Sequence, residues 1–405
     1  MRLTIINQYY KPDLAPTGHF AASLAEHRAS IGDDVTVVSS TGGYVQESSS
    51  LPTSTSENPN IIRFWTPHLG KDRAFKRIID YASFYIQAAV RLLIMPPQDV
   101  IVSLTTPPFI AWTAGLHKML HPTTKIVLWN MDSYPEILEQ TGVVPEGSLI
   151  SIVLRWINHT LFQRLDHLVC LDAAMDQMLS EHYCLNEIPL PSSVIPNWEP
   201  WDQFSLQSEP RTWKRKRELD LADRFVILYL GNAGFGHRFE TVLEAATELR
   251  GEPIIFLFVG GGKKWELLQA EKSRRQLDNL HLLSYVPKEV TPSVMALADL
   301  ALITLNDSAL GVISPSKMHS NLAMRLPIAY IGPEGGNVDQ AIRQFDCGIS
   351  LRHGQVSEFI DFVQRLRRDG ELASRYKHNA RNAFELAYND RVALPKFDEL
   401  LDSLG

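Results

Sequence analysis

Short apolar runs alternate with helical patterns along most of the chain. Residues 3–7 form the first apolar run, a helical pattern covers residues 19–30 and ends at Gly32, and residues 35–39 form the next run. A buried strand, a helix and a second buried strand make one βαβ unit, and this unit recurs along the sequence. The pattern predicts an α/β fold built on parallel sheets.

A Pro- and Trp-bearing segment, PNWEPW at residues 196–201, divides the chain. After it, apolar runs such as 225–230 and 300–305 again alternate with helical patterns. A chain of 405 residues exceeds the size of one usual core, so two domains are expected. We predict a first domain over residues 1–197 and a second over residues 202–384.

A candidate anion site follows the apolar run at 300–305. A loop at 311–314 leads to a predicted helix start at 315–317, with Pro315 in the first turn. Helix N-termini present unpaired N–H groups and the positive end of the helix dipole, which suits an anion. Lys317 adds a cation that disfavours this end of the helix unless a phosphate binds there. The alternative is an ordinary surface lysine.

A second glycine-containing loop follows the apolar run at 225–230. It contains Gly231, Asn232 and Gly234, with His237 and Arg238 at the start of the next helical pattern. Glycines let backbone N–H groups approach and hold a phosphate. Because both loops follow the carboxyl ends of strands, they are expected on the edge where open α/β sheets bind ligands.

The first domain offers two further candidates. Gly18 lies at the predicted turn into the first helix, where it permits a close approach to a ligand or simply a tight turn. Asp132 follows the predicted strand at 125–130 in the turn MDSYPE. A carboxylate at the carboxyl end of a parallel strand is a site candidate, with helix N-capping as the alternative.

Residues 71–91 predict a basic, aromatic-rich helix that contains Lys76, Arg77 and Tyr81. Such a helix suits contact with anionic lipid or with a lipid-linked acceptor; the alternative is a packed helix with a solvated basic end. Polar residues at 47–60 predict a surface loop, and residues 211–217 predict another basic helix.

Composition narrows the function classes. The net charge of −7 argues against bulk nucleic-acid binding. Cys170, Cys184 and Cys347 lack metal-site spacing and suit a reducing compartment. The first residues turn polar too early for a signal peptide, and no apolar run reaches the roughly 18–20 residues of a membrane span. A cytoplasmic protein is expected, with a peripheral contact to the cytoplasmic membrane face left open.

The order of motifs along the chain resembles glycosyltransferase family 4, and within it the branch that builds bacterial O-antigen and other surface sugars. The motifs are NQYYKPD with the following TG, GDDVTVVS, TTPPF, MDSYPE, VIPNW, YLGNAG with FETVLEAA, LFVGGG, YVPKEVTPSVMALADLALITL, and GVISPSKM with LAMRLPIAYIGP. The resemblance implies the GT-B fold, in which two Rossmann-like domains face each other across a cleft. It also implies that a C-terminal helix at about 385–405 completes the first domain.

The resemblance further implies a retaining hexosyl- or aminosugar transferase that acts without a metal or a resident cofactor. A nucleotide-diphosphate sugar, expected to be a UDP-sugar, would be the donor, and a surface glycan, a lipid-linked sugar or a small molecule the acceptor. Asp132 would be catalytic, and Lys76, Arg77 and Tyr81 would lie on the acceptor side. The donor would be bound by Gly18, Gly231, Asn232, Gly234, His237, Arg238, Gly311, Val312, Ile313, Ser314, Ser316 and Lys317.

The chain also departs from the family pattern. The paired glutamates separated by seven residues are missing, since the first would fall near Val312 and the second at Ser320. Met131 replaces a histidine that often precedes the acid of the first domain, and Phe235 stands where the glycine loop usually has an arginine. These departures keep open a non-catalytic GT-B relative that binds a nucleotide sugar or a partner transferase. A sugar-nucleotide epimerase shares the two-domain architecture but is less favoured, because it would need paired acids and histidines and the sequence shows no clear partners for Asp132.

Overall fold

The computed structural model describes residues 1–13, 15–41, 58–67, 74–184, 189–202, 219, 221 and 223–405. Three predicted features lie wholly or mostly outside these residues: the polar loop at 47–60, the first residues of the basic helix at 71–73, and the basic helix at 211–217. The described chain divides into two compact units. Unit 1 contains residues 1–195 and 394–405, and unit 2 contains residues 196–393.

Unit 1 is an α/β unit around a parallel sheet. Its described strands pair in the order β3-β2-β1-β4-β5-β6-β7. The strands are β1 (Arg2–Ile6), β2 (Asp34–Ser40), β3 (Asn60–Phe64), β4 (Val100–Leu104), β5 (Lys125–Trp129), β6 (His167–Cys170) and β7 (Ser192–Val194). The helices are α1 (Pro16–Ser30), α2 (Ala74–Ile94), α3 (Ala111–Leu120), α4 (Glu136–Gln140), α5 (Leu149–Phe162) and α6 (Ala173–Tyr183).

Unit 2 repeats this plan with a parallel sheet in the order β10-β9-β8-β11-β12-β13. The strands are β8 (Phe225–Asn232), β9 (Ile254–Gly261), β10 (Leu280–Leu283), β11 (Leu300–Thr304), β12 (Ile328–Ile331) and β13 (Gly348–Leu351). The helices are α7 (Glu240–Glu248), α8 (Trp265–Arg275), α9 (Thr291–Met295), α10 (Lys317–Ala323), α11 (Asn337–Phe345), α12 (Val356–Arg368), α13 (Gly370–Ala387) and α14 (Asp390–Leu404).

Burial explains why the central strands read as continuous apolar runs. Every residue of β4 and of β11 is buried, as expected for strands of a parallel sheet that helices cover on both faces. In unit 2, apolar side chains form two separate core clusters. The prediction of two α/β domains with parallel sheets is confirmed.

The last helix, α14, starts in unit 2 and continues into unit 1 from Leu394. Within unit 1, the Phe397 ring lies 4.5 Å from that of Trp129, centroid to centroid. The buried guanidinium of Arg28 on α1 pairs with Asp398 at 3.0 Å and with Asp402 at 2.7 Å. These contacts hold the C-terminal residues against α1. Among the helices of the described residues, none has both the length and the apolar content needed to span a bilayer.

Candidate functional site

Lys317 is the first residue of α10 and lies beside the end of β8. Its ammonium Nζ donates a hydrogen bond to the backbone oxygen of Asn232 at 3.2 Å and lies 5.0 Å from the centroid of the Tyr229 ring. Burial lowers the pKa of Lys317 from 10.5 to about 8. In the described part of the chain no carboxylate pairs with it, so the cation lacks a counter-ion. An anion would supply the missing charge.

His237 fixes the position of the lysine. Its Nδ1 lies 2.6 Å from the backbone oxygen of Thr304, and a carbonyl can only accept, so Nδ1 carries the proton. Nε2 is then free to accept a hydrogen bond from Lys317 Nζ at 3.1 Å. Burial, helped by the lysine charge, lowers the pKa of His237 to about 3. The imidazole therefore stays neutral at physiological pH and acts as an acceptor that orients Lys317.

Glycines make this close packing possible. Gly231 has φ +119°, and a Cβ there would lie 3.1 Å from Cε of Lys317. Gly260, its partner on β9, would place a Cβ only 2.0 Å from the Gly231 oxygen. At Gly262 (φ +120°) a Cβ would lie 2.2 Å from the side-chain oxygen of Asn232. The carboxyl ends of β8 and β9 thus pack backbone against backbone beside Lys317. Only glycine allows so close an approach.

The loop at 311–314, before α10, is closely packed against the glycine-containing loop at 231–238. Gly311 has φ +73°, and the backbone N–H groups of Val312 and Ile313 both donate to the oxygen of Ala309. A Cβ on Gly236 would lie 3.0 Å from Cδ1 of Ile313. The N–H groups of Val312 and Ile313 are therefore used inside the loop. Ser314, which is half-buried, and Ser316, which is exposed, continue the loop to Lys317.

The helix start differs slightly from the prediction. Pro315 precedes the helix instead of lying in its first turn, because α10 begins at Lys317 and Ser316 takes the N-cap position. The side chain of Ser316 makes no capping hydrogen bond. Lys317 thus stands at the first helical position, where its charge was predicted to need an anion.

Unlike Lys317, the predicted donor-binding residue Arg238 already has carboxylate partners, and Gly234 packs against a neighbouring side chain. Arg238 is exposed, and its guanidinium lies 3.3 Å from Glu240 and 4.0 Å from Asp307. Gly234 packs near the side chain of Asn232, with 3.2 Å between the amide nitrogen and the position a Cβ would take. Arg238 would therefore have to leave its carboxylate partners to bind a phosphate.

The positions of the missing glutamates are filled without replacement carboxylates. Val312 is buried, and the hydroxyl of Ser320 donates to the backbone oxygen of Lys317 at 3.3 Å. Glu334, in the loop after β12, is exposed and pairs with Arg343. Glu334 thus lies in a surface turn, and it supplies no carboxylate in place of the missing glutamates.

In unit 1, Asp132 lies just beyond the end of β5. Its backbone N–H lies 3.2 Å from the hydroxyl of Thr105, and α4 begins only at Glu136, so Asp132 is not a helix N-cap. Burial raises the pKa of Asp132 to about 6. Burial raises the pKa values of the Tyr81 and Tyr134 phenols above their usual value of 10, and the negative charge of Asp132 raises them as well. The acceptor-side candidate Tyr81 thus lies near the predicted catalytic acid.

The other acceptor-side candidates lie at the start of the same helix. Arg77 is exposed and acts on the pKa of both Tyr81 and Tyr134, which places it at the Asp132 cluster. Lys76, one residue earlier, is half-buried. The arrangement is a carboxylate bordered by phenols and by a guanidinium.

Gly18 lies inside α1 and not in the turn before it, because the helix begins at Pro16 with Ala15 as N-cap. A Cβ on Gly18 would lie 3.0 Å from the carbonyl carbon of Tyr9. The glycine therefore lets α1 pack against the loop that follows β1. Its predicted approach to a donor phosphate stays a prediction.

Sequence reasoning missed two residues that build the lysine site. Thr304 fixes the tautomer of His237 through its backbone oxygen, and Tyr229 provides the ring beneath Lys317. The position of Thr304 at the end of a predicted strand was its only sequence signal.

Comparison with known proteins adds the family evidence. Residues 211–383 match the family model described as Glycosyl transferases group 1. The chain carries a glycosyl transferases group 1 domain. This match contains both glycine loops, His237 and Lys317, and so covers the whole lysine site.

Similar proteins extend the comparison beyond that domain. The chain is 24% identical over 310 residues to the protein named Probable glycosyltransferase WbjE of Pseudomonas aeruginosa, covering 74% of this chain and 73% of that protein. It is 23% identical over 341 residues to WcaI of Escherichia coli K12, named as a colanic acid biosynthesis glycosyl transferase, covering 80% and 81%. The solved structure of HepE from Anabaena in complex with UDP-glucose matches with a TM-score of 0.70 at 13% identity, covering 100% of both chains. The fold is the GT-B fold.

Proposed function

We propose that the chain is a retaining glycosyltransferase. It moves a hexosyl or aminosugar group from a nucleotide-diphosphate sugar to a surface-glycan, lipid-linked or small-molecule acceptor. The observation that carries this proposal is the half-buried Lys317, which has no counter-ion among the described residues and lies among the glycine loops of a glycosyl transferases group 1 domain. The name of WcaI supports a surface polysaccharide acceptor, and the UDP-glucose held by HepE supports a UDP-sugar donor.

The proposed reaction implies a different role for each of the two candidate sites. Lys317, oriented by His237, neutralises the charge that develops on the departing diphosphate, which is the charge stabilisation that such a transfer needs. No divalent metal is required in this scheme. By resemblance, the diphosphate itself accepts the proton of the acceptor hydroxyl, and Asp132 orients that hydroxyl by accepting a hydrogen bond from it.

A thermal-shift panel tests the donor site. Purified protein is heated with UDP-, GDP- and ADP-sugars, in wild type, Lys317→Ala and Lys396→Ala, the last removing an exposed lysine of α14. A ligand that binds only the folded state raises the midpoint. We expect a UDP-sugar to raise it in wild type and Lys396→Ala and to lose most of that effect in Lys317→Ala. A panel in which no nucleotide sugar shifts wild type would contradict the proposal.

A non-catalytic nucleotide-sugar-binding relative is the second candidate, favoured by one observation. Val312 and Ser320 occupy the positions of the paired glutamates, and the described residues of α10 include no carboxylate. The two functions separate in one assay, which measures release of free nucleotide in the presence of candidate acceptors. A donor that shifts the midpoint while no acceptor induces nucleotide release would favour the non-catalytic relative.

A further inference from the structure

Helix α5 buries Leu161 and Phe162 at its end, but before them its buried side chains are polar and several apolar ones face outward, unlike those of an ordinary surface helix. Ser151 and Asn158 are buried, and they donate hydrogen bonds to Glu139 and to the backbone oxygen of Tyr134, respectively. On the outer side, 76% of Leu149 and 64% of Trp156 are exposed. Ile150, Ile152 and Val153 are exposed with them.

The neighbouring helices extend this apolar surface. The β3–β4, β4–β5 and β5–β6 connections all run in the same direction across the sheet, so right-handed crossovers place α2, α3 and α5 on one face. Helix α3 packs against both of the others. We call their solvent-facing surface the outer face. Its exposed side chains outside α5 include Ile86, Val90 and Ile94 of α2 and Met119 and Leu120 of α3.

The three helices that form the outer face are also basic within an acidic chain. Together α2, α3 and α5 contain five lysines and arginines and one carboxylate, Asp80, whereas the net charge of the chain is −7. Lys118 and Arg155 pair with neighbouring carboxylates. The remaining excess lies on α2, and Arg164 adds a cation just after α5, stacked 4.7 Å from the Trp112 ring.

We propose that the outer face docks on the surface of an anionic lipid bilayer, with α5 placing Trp156 and its aliphatic neighbours among the headgroups. Apolar side chains with an interfacial tryptophan and adjacent cations are what such a surface binds. A second copy of the chain is a poorer occupant, because pairing two outer faces would bring like charges together. The proposal goes beyond the proposed function and does not depend on it, since lipid binding needs neither donor nor turnover.

Docking of the outer face on a bilayer would also bring the acceptor-side candidates of unit 1 close to the membrane. Helices α2 and α5 both start at the carboxyl edge of the sheet, and Arg77 and Tyr81 lie in the first part of α2 beside Asp132. A bilayer against the outer face would therefore present a lipid-linked acceptor close to that edge. The membrane contact and the acceptor-side candidates would then belong to one surface.

Vesicle sedimentation tests the proposal with the whole 405-residue chain. Wild type, the double variant Ile152→Glu with Trp156→Glu, and the control Leu386→Glu are mixed with vesicles of phosphatidylcholine alone or with phosphatidylglycerol. Leu386 is 68% exposed on α13 of unit 2, so it matches the test residues in exposure but lies off the outer face. Thermal midpoints of all three proteins establish that they are folded.

We expect wild type and Leu386→Glu to bind vesicles that contain phosphatidylglycerol, and to lose most binding at about 0.5 M salt. The double variant should bind at least about tenfold more weakly while keeping its thermal midpoint. Failure of wild type to bind anionic vesicles would overturn the proposal, as would equal binding by the double variant. A dimer that the double variant dissociates, with vesicle binding unchanged, would assign the outer face to self-association instead.

Discussion

The carboxyl edges of the two sheets carry groups of opposite charge on the same type of scaffold. In unit 2, the cation Lys317 lies among glycine loops with a neutral histidine as its acceptor. In unit 1, the carboxylate Asp132 lies near the phenols of Tyr81 and Tyr134. Both sheets place their first strand centrally, with the next strand on one side and a later strand on the other. The fold positions the sites, and a few side chains decide what each can bind.

Burial acts on both charges in the direction of neutrality. It raises the pKa of Asp132 to about 6 and lowers that of Lys317 to about 8. Each group is thus still charged at neutral pH but has lost part of its hydration. A lysine in this state favours an anionic ligand, whereas a carboxylate in this state favours a hydroxyl donor. The comparison therefore predicts that changes at the two edges affect different kinetic quantities.

Asp132→Asn should show most clearly that the carboxyl edge of unit 1 affects turnover and not donor binding. The amide keeps the shape but is a weaker acceptor, so turnover should fall by about 10²-fold while the dissociation constant for the nucleotide sugar stays unchanged. Wild-type turnover should also fall as pH drops below about 6, because the raised pKa lets Asp132 take up a proton there. Initial rates and calorimetric titrations measure both effects. Glu146→Gln, in an exposed loop, is the control, and an equal loss in that variant would remove the assignment.

Lys317→Ala should weaken binding of the nucleotide sugar. Loss of a charge-assisted contact to a diphosphate costs about 1.5–3 kcal/mol, so affinity for the nucleotide sugar should fall about 10- to 100-fold. Calorimetric titration of wild type, Lys317→Ala and Lys396→Ala gives the comparison. If the Lys317→Ala protein bound donor as tightly as wild type, the cation of unit 2 would have no role in donor binding.

Gly262→Ala tests the backbone packing of the unit 2 edge. The left-handed φ of +120° and the clash with Asn232 should lower the free energy of unfolding by about 1–3 kcal/mol. Gly370→Ala is the matched control, because a Cβ there meets nothing within 4 Å and its φ lies outside the left-handed region. Urea denaturation followed by circular dichroism measures the difference. Equal stability of the two variants would show that the loop can relax around a methyl group.

The smallest effect concerns pH and the lysine. Since Lys317 loses its proton as pH rises through about 8, donor affinity should decline several-fold between pH 7 and 9. Lys317→Arg keeps its charge over this range, so its affinity, even if weaker, should stay flat. Titrations at both pH values in the two proteins provide the test. A parallel decline in both would assign the pH dependence to another group.

Much of the fold was predictable because parallel strands are buried on both faces and appear as apolar runs. The runs that became β5 and β11 were predicted to within one residue at each end. The first helix was less well predicted: it begins at Pro16, because proline is favoured in a first helical turn, so Gly18 falls inside it. The short β13 and the helix α12 were not predicted, although the buried residues of α12 recur at helical spacing: Phe359, Phe362, Val363 and Leu366.

The candidate sites were predictable only in part, because the sequence gives positions but not contacts. Loop glycines and a lysine at a helix start indicated an anion site, and the structure brings His237 to that lysine. The carbonyl of Thr304 that fixes His237 could not be foreseen, since backbone acceptors have no sequence signature. The pairing of Arg238 with Glu240 and Asp307 depends on the packing of the loops, which local pattern does not encode.

A crystal structure of the chain with bound UDP would decide whether Lys317 binds the diphosphate. We expect the diphosphate beside the glycines at the ends of β8 and β9, with a phosphate oxygen about 3 Å from Nζ of Lys317 and with His237 still hydrogen-bonded to the oxygen of Thr304. A nucleotide bound elsewhere, with Lys317 still donating only to Asn232 and His237, would contradict it.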